Sequence, residues 1–109
     1  MITWDDFEKI DIRVGTILTA ADFPNARQPA YQLTIDFGEE GIKKSSAQIT
    51  TLYSKEELAG KQVIAVINFP PKQIAHFFSE CLILGVCNEN KEVVLLQPTQ
   101  PVKNGCRIG

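Results

Sequence analysis

Residues 10–18 read Ile-Asp-Ile-Arg-Val-Gly-Thr-Ile-Leu, a stretch in which apolar and polar side chains alternate. Alternation with a period of two predicts a β-strand with one face buried and the other facing solvent. The pattern continues towards Phe23, which makes the predicted strand long. Gly15 lies in its middle, and a glycine inside a strand is typical of a bulge or a sharp bend. We therefore expect a bent strand that contributes to both sides of a small barrel.

Further short strands are predicted downstream. Tyr31–Phe37 alternates in the same way and ends at a glycine-flanked hairpin turn, Gly38–Gly41. Ile42–Thr50 follows as a strand that is polar for its class. Apolar runs bounded by proline or polar turn residues predict the remaining strands. These runs are Gln62–Phe69, Cys81–Cys87 and Val93–Leu96.

A short helix is predicted before the first strand. Thr3 and Asp6 have the spacing of a capping box, in which each side chain accepts a hydrogen bond from the backbone amide of the other residue. The helix spans about Trp4–Lys9. A helix of two turns is not stable alone, so its apolar side chains are expected to dock on another surface. These side chains are Ile2, Trp4, Phe7 and Ile10.

A second short helix is predicted between the third and fourth strands. Ser54 and Glu57 repeat the capping pattern, and Gly60 lies where a helix C-cap is expected, so this helix spans Lys55–Ala59. Five or more short strands with one helix between the third and fourth are the element order of the OB-fold, an all-β barrel. We predict one OB-fold domain over residues 1–109, a five-stranded antiparallel barrel with a short N-terminal helix and a short helix between strands 3 and 4.

Charge and length limit the classes of function that the chain can have. With 109 residues the chain has room for one domain, and its formal net charge is −2. Phosphate contacts need clustered Lys and Arg, so this balance disfavours a general nucleic-acid binder. Four acids fall in the first eleven residues, however, which leaves room for a basic face downstream. The acidic start and the lack of a long apolar stretch predict a cytoplasmic chain without membrane insertion.

Neither metal binding nor catalysis is predicted. Cys81, Cys87 and Cys106 form no C-x-x-C pair, and His76 has no second ligand at useful spacing. We expect buried free thiols, no metal and no cofactor. Phosphate-cradling glycine loops, acid pairs and an activated cysteine are also missing, so we expect no enzyme.

Four segments carry a resemblance to a known family, and they are Phe7–Ile17, Pro24–Arg27, Gly41–Thr50 and Val66–Ile74. Together they resemble the tRNA-binding domain family, which includes the C-terminal domain of many methionyl-tRNA synthetases, and within it the bacterial CsaA proteins. The resemblance implies an OB barrel that pairs as a homodimer. It also implies a chaperone-like role in protein export, with affinity for unfolded or precursor polypeptides, alongside the tRNA-binding surface of the wider family. Partners implied in this way are a second copy of the chain, tRNA, precursor polypeptides and the export machinery.

The region after the fourth strand departs from the tRNA-binding pattern. Those relatives usually carry two lysines and an arginine where this chain has Pro70, Gln73 and Ala75, and Lys72 is the only base kept nearby. The family's Ser-x-Gly-Met segment is replaced by Ser79–Leu82. Both changes follow the CsaA subgroup and weaken the expectation of tight tRNA binding.

Polar residues are expected to gather on strands two and three, the ligand face of OB-folds. The alternative for the lysines of the third strand is a solvated, protected edge. Residues of the first loop would rim the same face, and residues after the fourth strand would complete it, although Asn68 is equally suited to bonding the backbone at a strand end. The predicted RNA-binding residues are Asn25, Arg27, Lys43, Lys44, Ser45, Ser46, Gln48, Asn68 and Lys72.

Three phenylalanines fall close together in a stretch predicted as a loop, Asn68–Glu80. Phe69, Phe77 and Phe78 would expose much apolar surface there, which is unusual without a reason. A dimer core, a peptide-binding groove and a lid over the barrel end all fit. By resemblance the C-terminal stretch Gln97–Gly109 helps to pair two subunits, and the alternative is a tail packed on its own barrel.

Overall fold

The computed structural model describes all 109 residues and contains two short α-helices and nine β-strands. The helices are α1 (Trp4–Glu8) and α2 (Lys55–Leu58). The strands are β1 (Ile12–Asp22), β2 (Tyr31–Asp36), β3 (Ile42–Ala47), β4 (Gln62–Val66), β5 (Lys72–Ile74), β6 (Phe77–Ser79), β7 (Leu82–Ile83), β8 (Gly85–Cys87) and β9 (Val93–Leu95). A 3₁₀ turn at Gly38–Glu40 forms the predicted turn between β2 and β3.

Five strands form one antiparallel sheet in the order β3-β2-β1-β4-β7. The first part of β1, Ile12–Thr16, pairs with β4, and the later part, Thr16–Asp22, pairs with β2. Because one long strand serves both halves, the sheet curls into a nearly closed barrel. The predicted all-β, OB-type barrel is confirmed.

The pairing of β1 shows no register shift at Gly15, where a bulge or sharp bend was predicted. The register shifts between Ile17 and Thr19 instead. Gly15 is required for a different reason, since a Cβ there would lie 2.7 Å from side-chain atoms of both Ile35 and Phe37. Real Cβ atoms do not approach other atoms so closely, so the glycine lets β1 pack directly on the buried side chains of β2 and of the residue that follows it.

The barrel is left open where β3 and β7 face each other, because these two strands do not pair. The predicted fifth strand is split: β7 pairs with β4, whereas β8 pairs with β9. Across the gap, the hydroxyl of Ser45 donates a hydrogen bond to the carbonyl of Cys81 at 3.0 Å. We call this gap the seam.

The predicted loop between Asn68 and Glu80 is wrong, because it contains the hairpin β5–β6. Its turn begins at Ala75, which has a positive φ of 55°. The hairpin covers the free edge of β3. Glu80 joins Lys44 through its backbone amide at 2.7 Å and its carboxylate at 2.9 Å, and Ser79 Oγ accepts from the amide of Ser46 at 3.1 Å.

Both predicted helices are present. In α1 the capping box is complete, with Thr3 and Asp6 bonded in both directions at 3.0 and 3.1 Å. No side chain of α1 is buried, and Trp4 is 84% exposed. Phe7 is half-buried, whereas Ile2 and Trp4 stay exposed, so the barrel covers only part of the apolar face of α1.

The C-terminal residues pack on their own barrel. The amide of Gly105 donates to the carbonyl of Val14 at 2.7 Å, and the amide of Ile108 donates to the carbonyl of Ile12 at 2.8 Å. Arg107 donates to the backbone carbonyl of Glu8 at the end of α1 at 2.9 Å. Of the two alternatives for this stretch, the structure shows the packed tail, and a role in pairing subunits stays a prediction.

The core lies between the two halves of the sheet and α2. Its fully buried side chains include Ile17, Leu33, Ile35, Phe37, Leu58 and Val63. Leu58 is contributed by α2, so this helix closes one part of the barrel interior. No helix reaches the length and hydrophobicity needed to cross a bilayer.

Candidate ligand-binding surface

The register of β2 and β3 creates a polar surface. Gln32 lies opposite Ser46, and Thr34 lies opposite Lys44. Their neighbours on each strand alternate into the core, as for Leu33, which is fully buried. We call the four residues Gln32, Thr34, Lys44 and Ser46 the polar face. Gln32 and Thr34 were absent from the sequence prediction. The alternation of apolar and polar residues along β2 places both side chains on its outer side, beside the polar residues of β3, and this signal could have identified them.

Ser45 and Lys43 point away from the polar face. Ser45 is 1% exposed, and its hydroxyl is engaged with the Cys81 carbonyl. Its predicted role in RNA binding is therefore wrong, because the side chain bridges the seam from inside. Lys43 is half-buried on the same side of the strand as Ser45. Burial raises the pKa of the Cys81 thiol to about 11, and the nearby charge of Lys43 opposes that shift.

The predicted loop residues Asn25 and Arg27 are both exposed between β1 and β2. The guanidinium of Arg27 forms no ion pair within the chain. Beneath this loop, Phe23 is buried and packs edge-on against Phe77, with ring centroids 5.4 Å apart. The loop is thus held by an aromatic contact, while its polar side chains stay free to meet a ligand.

Asn68 acts within the chain. Its Oδ1 accepts from the amide of Asp11 at 3.0 Å, and its Nδ2 donates to the carbonyl of Lys9 at 2.8 Å. Both ends of the side-chain amide are therefore occupied in joining the end of β4 to the residues after α1. This is the second role predicted for Asn68, the bonding of backbone groups at a strand end. Gln48, just after β3, and Lys72, on β5, are exposed.

A largely apolar groove of about 390 Å³ runs along the seam. We call it the seam groove, and it lies between the end of β3, the β5–β6 hairpin, β7 and β9. Eight of its lining residues are apolar, and Lys72 is the only charged one. The twelve lining residues are Ser46, Ala47, Gln48, Ile49, Lys72, Ile74, Ser79, Cys81, Leu82, Ile83, Val93 and Leu95.

A second, smaller depression of about 250 Å³ adjoins the seam groove and adds Phe69 and Pro70 to its lining. The two share Lys72, Ser79, Cys81 and Leu82. Together they form a continuous apolar channel at the open side of the barrel. A volume of this order is typical of ligand sites with a few polar groups on an apolar lining.

The three phenylalanines separate into two kinds. Phe77 is half-buried against Phe23, so it fits the predicted lid over the barrel end. Phe69 and Phe78 are 55% and 52% exposed. Only Phe69 borders the channel, whereas Phe78 extends the exposed apolar surface of the hairpin.

The polar groove of about 570 Å³ formed by Glu57, Ala59–Gln62 and Gln97–Pro101 contains none of the predicted residues. No cluster of three His, Cys, Asp or Glu side chains is suited to a metal ion. All three cysteines are free, but only Cys81 is buried. The prediction of buried thiols is wrong for Cys87 and Cys106, because the end of β8 and the tail lie at the surface.

Comparison with known families agrees with this architecture. Residues 12–107 match the family described as "Putative tRNA binding domain". The chain belongs to this tRNA-binding domain family. It is 35% identical over 108 residues to a methionine–tRNA ligase of Nanoarchaeum equitans and 36% identical over 107 residues to one of Bacteroides fragilis. These matches cover 99% and 98% of the chain but only 14% and 16% of the ligases, so the chain spans about a seventh of their length.

Solved structures resolve the position within the family. A crystal structure of chaperone CsaA from Bacillus anthracis superposes with a TM-score of 0.95 at 51% identity, covering 100% of this chain and 99% of that one. The CsaA chaperone protein from Picrophilus torridus gives 0.94 at 54% identity, with both chains fully covered. A MetRS-related protein from Pyrococcus horikoshii gives 0.88 at 26% identity over 100% and 98% of the two chains. The chain is thus a CsaA-like member of the family.

Proposed function

We propose that this chain is a CsaA-like molecular chaperone that binds unfolded or precursor polypeptides in the seam groove. The observation that carries the proposal is the groove itself, an apolar channel at the open side of an otherwise closed core. Apolar side chains of an unfolded segment would be removed from water there, at about 25 cal/mol per Å² buried. The likeness to two CsaA chaperones supports the same role.

The polar groups of the groove suit an extended chain. Ser46 and Gln48 lie along its β3 side, where their side chains can bond the backbone of a bound segment. Apolar pockets flanked by main-chain contacts are the usual means by which extended peptides bind beside a strand. This arrangement supports binding of extended apolar segments with little dependence on their amino-acid sequence.

Aggregation assays test the proposal. Ile74→Lys places a charge in the groove wall without altering the core, and we expect it to abolish suppression of aggregation of a chemically unfolded protein. Ile42→Lys is the matched control, because Ile42 is 61% exposed and lies outside the groove. Equal activity of Ile74→Lys and the unmodified protein would refute the groove as the site.

RNA binding is the second candidate function, supported by the polar face and by the family to which the chain belongs. Arg27, Lys44 and Lys72 are its exposed cations, and they would pair with phosphates. Three such contacts predict a slope of about −2 for log K against log salt concentration. Titration of labelled tRNA over a salt range measures this slope. We expect Lys44→Ala to reduce its size by about one third, and a salt-independent affinity would contradict the assignment.

We further propose that the chain works as a homodimer in the cytoplasm and passes precursor polypeptides to the export machinery, without catalysis of its own. The uncovered apolar side of α1 supports the dimer, with Ile2 and Trp4 at 76% and 84% exposure. A five-residue helix gains its stability mainly from packing of such a face. The ligase activity of the curated relatives is not extended to this chain, which matches only a small part of them.

A further inference from the structure

The polar face and the seam groove share residues. Ser46 belongs to both, since its backbone is held by Ser79 of the hairpin while its side chain lies beside Gln32. Gln48 and Lys72, two of the candidate RNA contacts, also line the groove. The two candidate functions therefore meet at the same place.

The order of the elements brings the RNA contacts around the groove. Lys44 and Ser46 lie on β3, Ser79 on β6 is joined to Ser46, and Lys72 pairs with Ser79 across the hairpin. β6 lies between β3 and β5, so Lys72 is separated from β3 by one strand of the hairpin. An RNA backbone that pairs with both Lys44 and Lys72 must pass over Ser46 and the adjoining mouth of the groove.

The chemistry of the lining selects the occupant of the groove. Eight apolar side chains and one lysine, with no carboxylate, suit an extended polypeptide segment of apolar residues that carries no basic residue beside Lys72. Such a segment would cover Ser46, Gln48 and Lys72 and leave Lys44 without its neighbouring contacts.

We propose that RNA and an unfolded polypeptide segment occupy this surface one at a time, so that each ligand displaces the other. The inference rests on the proposed function. Because the two ligands compete for shared residues, a polypeptide present at ten times its dissociation constant weakens the apparent affinity for tRNA about tenfold. Linkage requires tRNA to weaken polypeptide binding reciprocally.

A competition titration tests the proposal. Fluorescence anisotropy of end-labelled tRNA is followed while a short, end-blocked peptide of alternating leucine and serine is added to the full chain. The peptide carries no charge, so it cannot displace tRNA by screening. We expect tRNA release, with the apparent dissociation constant rising linearly with free peptide and without saturation.

Two variants assign the competition to the seam groove. Ile74→Ser removes an apolar wall residue outside the RNA-binding set, and we expect it to weaken peptide binding at least tenfold, to retain tRNA binding and to lose the competition. Ile42→Ser is its matched control and should compete as the unmodified protein does. Lys44→Ala should weaken tRNA binding and leave peptide affinity unchanged.

Three results would contradict the proposal, each in a different way. If both ligands bind and a ternary complex forms, exclusive occupancy is wrong while both proposed activities stand. If Ile74→Ser leaves peptide affinity unchanged, the assignment of the groove to polypeptide is overturned. If one ligand fails to bind at all, the corresponding proposed function fails and exclusivity fails with it.

Discussion

At the scale of single residues, strand alternation decides which side chains can meet a ligand. Lys43, Lys44, Ser45 and Ser46 are consecutive, yet only Lys44 and Ser46 belong to the polar face. Composition identified the polar block correctly as part of β3. The inward turn of Ser45 follows from its pairing opposite Leu33, which the sequence shows only once the register of the two strands is known.

Cys81 gives a prediction of pH dependence. Burial raises the pKa of its thiol from 9.0 to about 11, so the folded chain holds this proton more tightly than the unfolded chain. The resulting stabilisation is fully present below about pH 9 and is lost as the pH rises towards 11. We expect the urea midpoint to fall over this range, and to fall less steeply in Cys81→Ala.

The unmodified protein and Cys81→Ala differ in no other titratable group, so the difference between their pH profiles isolates the contribution of the buried thiol. Parallel pH profiles for Cys81→Ala and the unmodified protein would show that the buried thiol contributes nothing to the dependence.

At the scale of elements, the β5–β6 hairpin is the part of the fold that the sequence did not predict. Its strands are three residues each, and two prolines precede them, so neither length nor alternation distinguishes it from a loop. The hairpin is fixed by long-range contacts, above all the bonds of Ser79 and Glu80 to β3. The first four barrel strands and both helices, whose signals are local, were predictable with errors of a few residues at their ends.

The hairpin turn offers a test of its own. Ala75 adopts a φ of 55°, a left-handed conformation that costs a residue with a Cβ about 1–2 kcal/mol. Glycine avoids this cost but loses more freedom on folding, by about 0.4–1 kcal/mol. We expect Ala75→Gly to raise the free energy of unfolding by about 0.5 kcal/mol in a urea titration.

Ala75→Val is the complementary variant, since a β-branched side chain tolerates positive φ poorly. It should lower stability, and protection of the hairpin amides from hydrogen exchange should fall first. A gain in stability with valine would contradict the observed turn.

At the scale of the whole molecule, the uncovered face of α1 predicts association of two chains. Sedimentation should give twice the 12.1 kDa mass of the chain at micromolar concentration. Trp4 is the only tryptophan, so its emission reports directly on this face. We expect a shift to longer wavelength on dilution, as the subunits separate and water reaches the indole.

Trp4→Lys should give the monomer mass, whereas Ile42→Lys, another exposed apolar position away from α1, should remain dimeric. A monomer mass for the unmodified protein would refute the homodimer, and dimers of Trp4→Lys would place the interface elsewhere.

The seam could not be predicted from the sequence either, because it also depends on contacts between distant parts of the chain. The apolar run Cys81–Cys87 predicts one strand, but the chain changes partner at Leu84, between β7 and β8. Which strands a barrel leaves unpaired depends on curvature and register accumulated over all of them. The polar segment of β3 was therefore predictable, while the groove beside it was not, and the binding roles of the candidate residues stay predictions.

The most direct measurement is an amide chemical-shift titration of the isotope-labelled chain with the uncharged leucine–serine peptide. Binding in the seam groove predicts that the largest shifts fall on residues 46–49, 72–74, 79–83 and 93–95, with α1 and residues 97–101 unaffected. Shifts centred on α1 or on the polar groove at residues 97–101, with the seam unchanged, would contradict the assignment of the seam as the polypeptide-binding site.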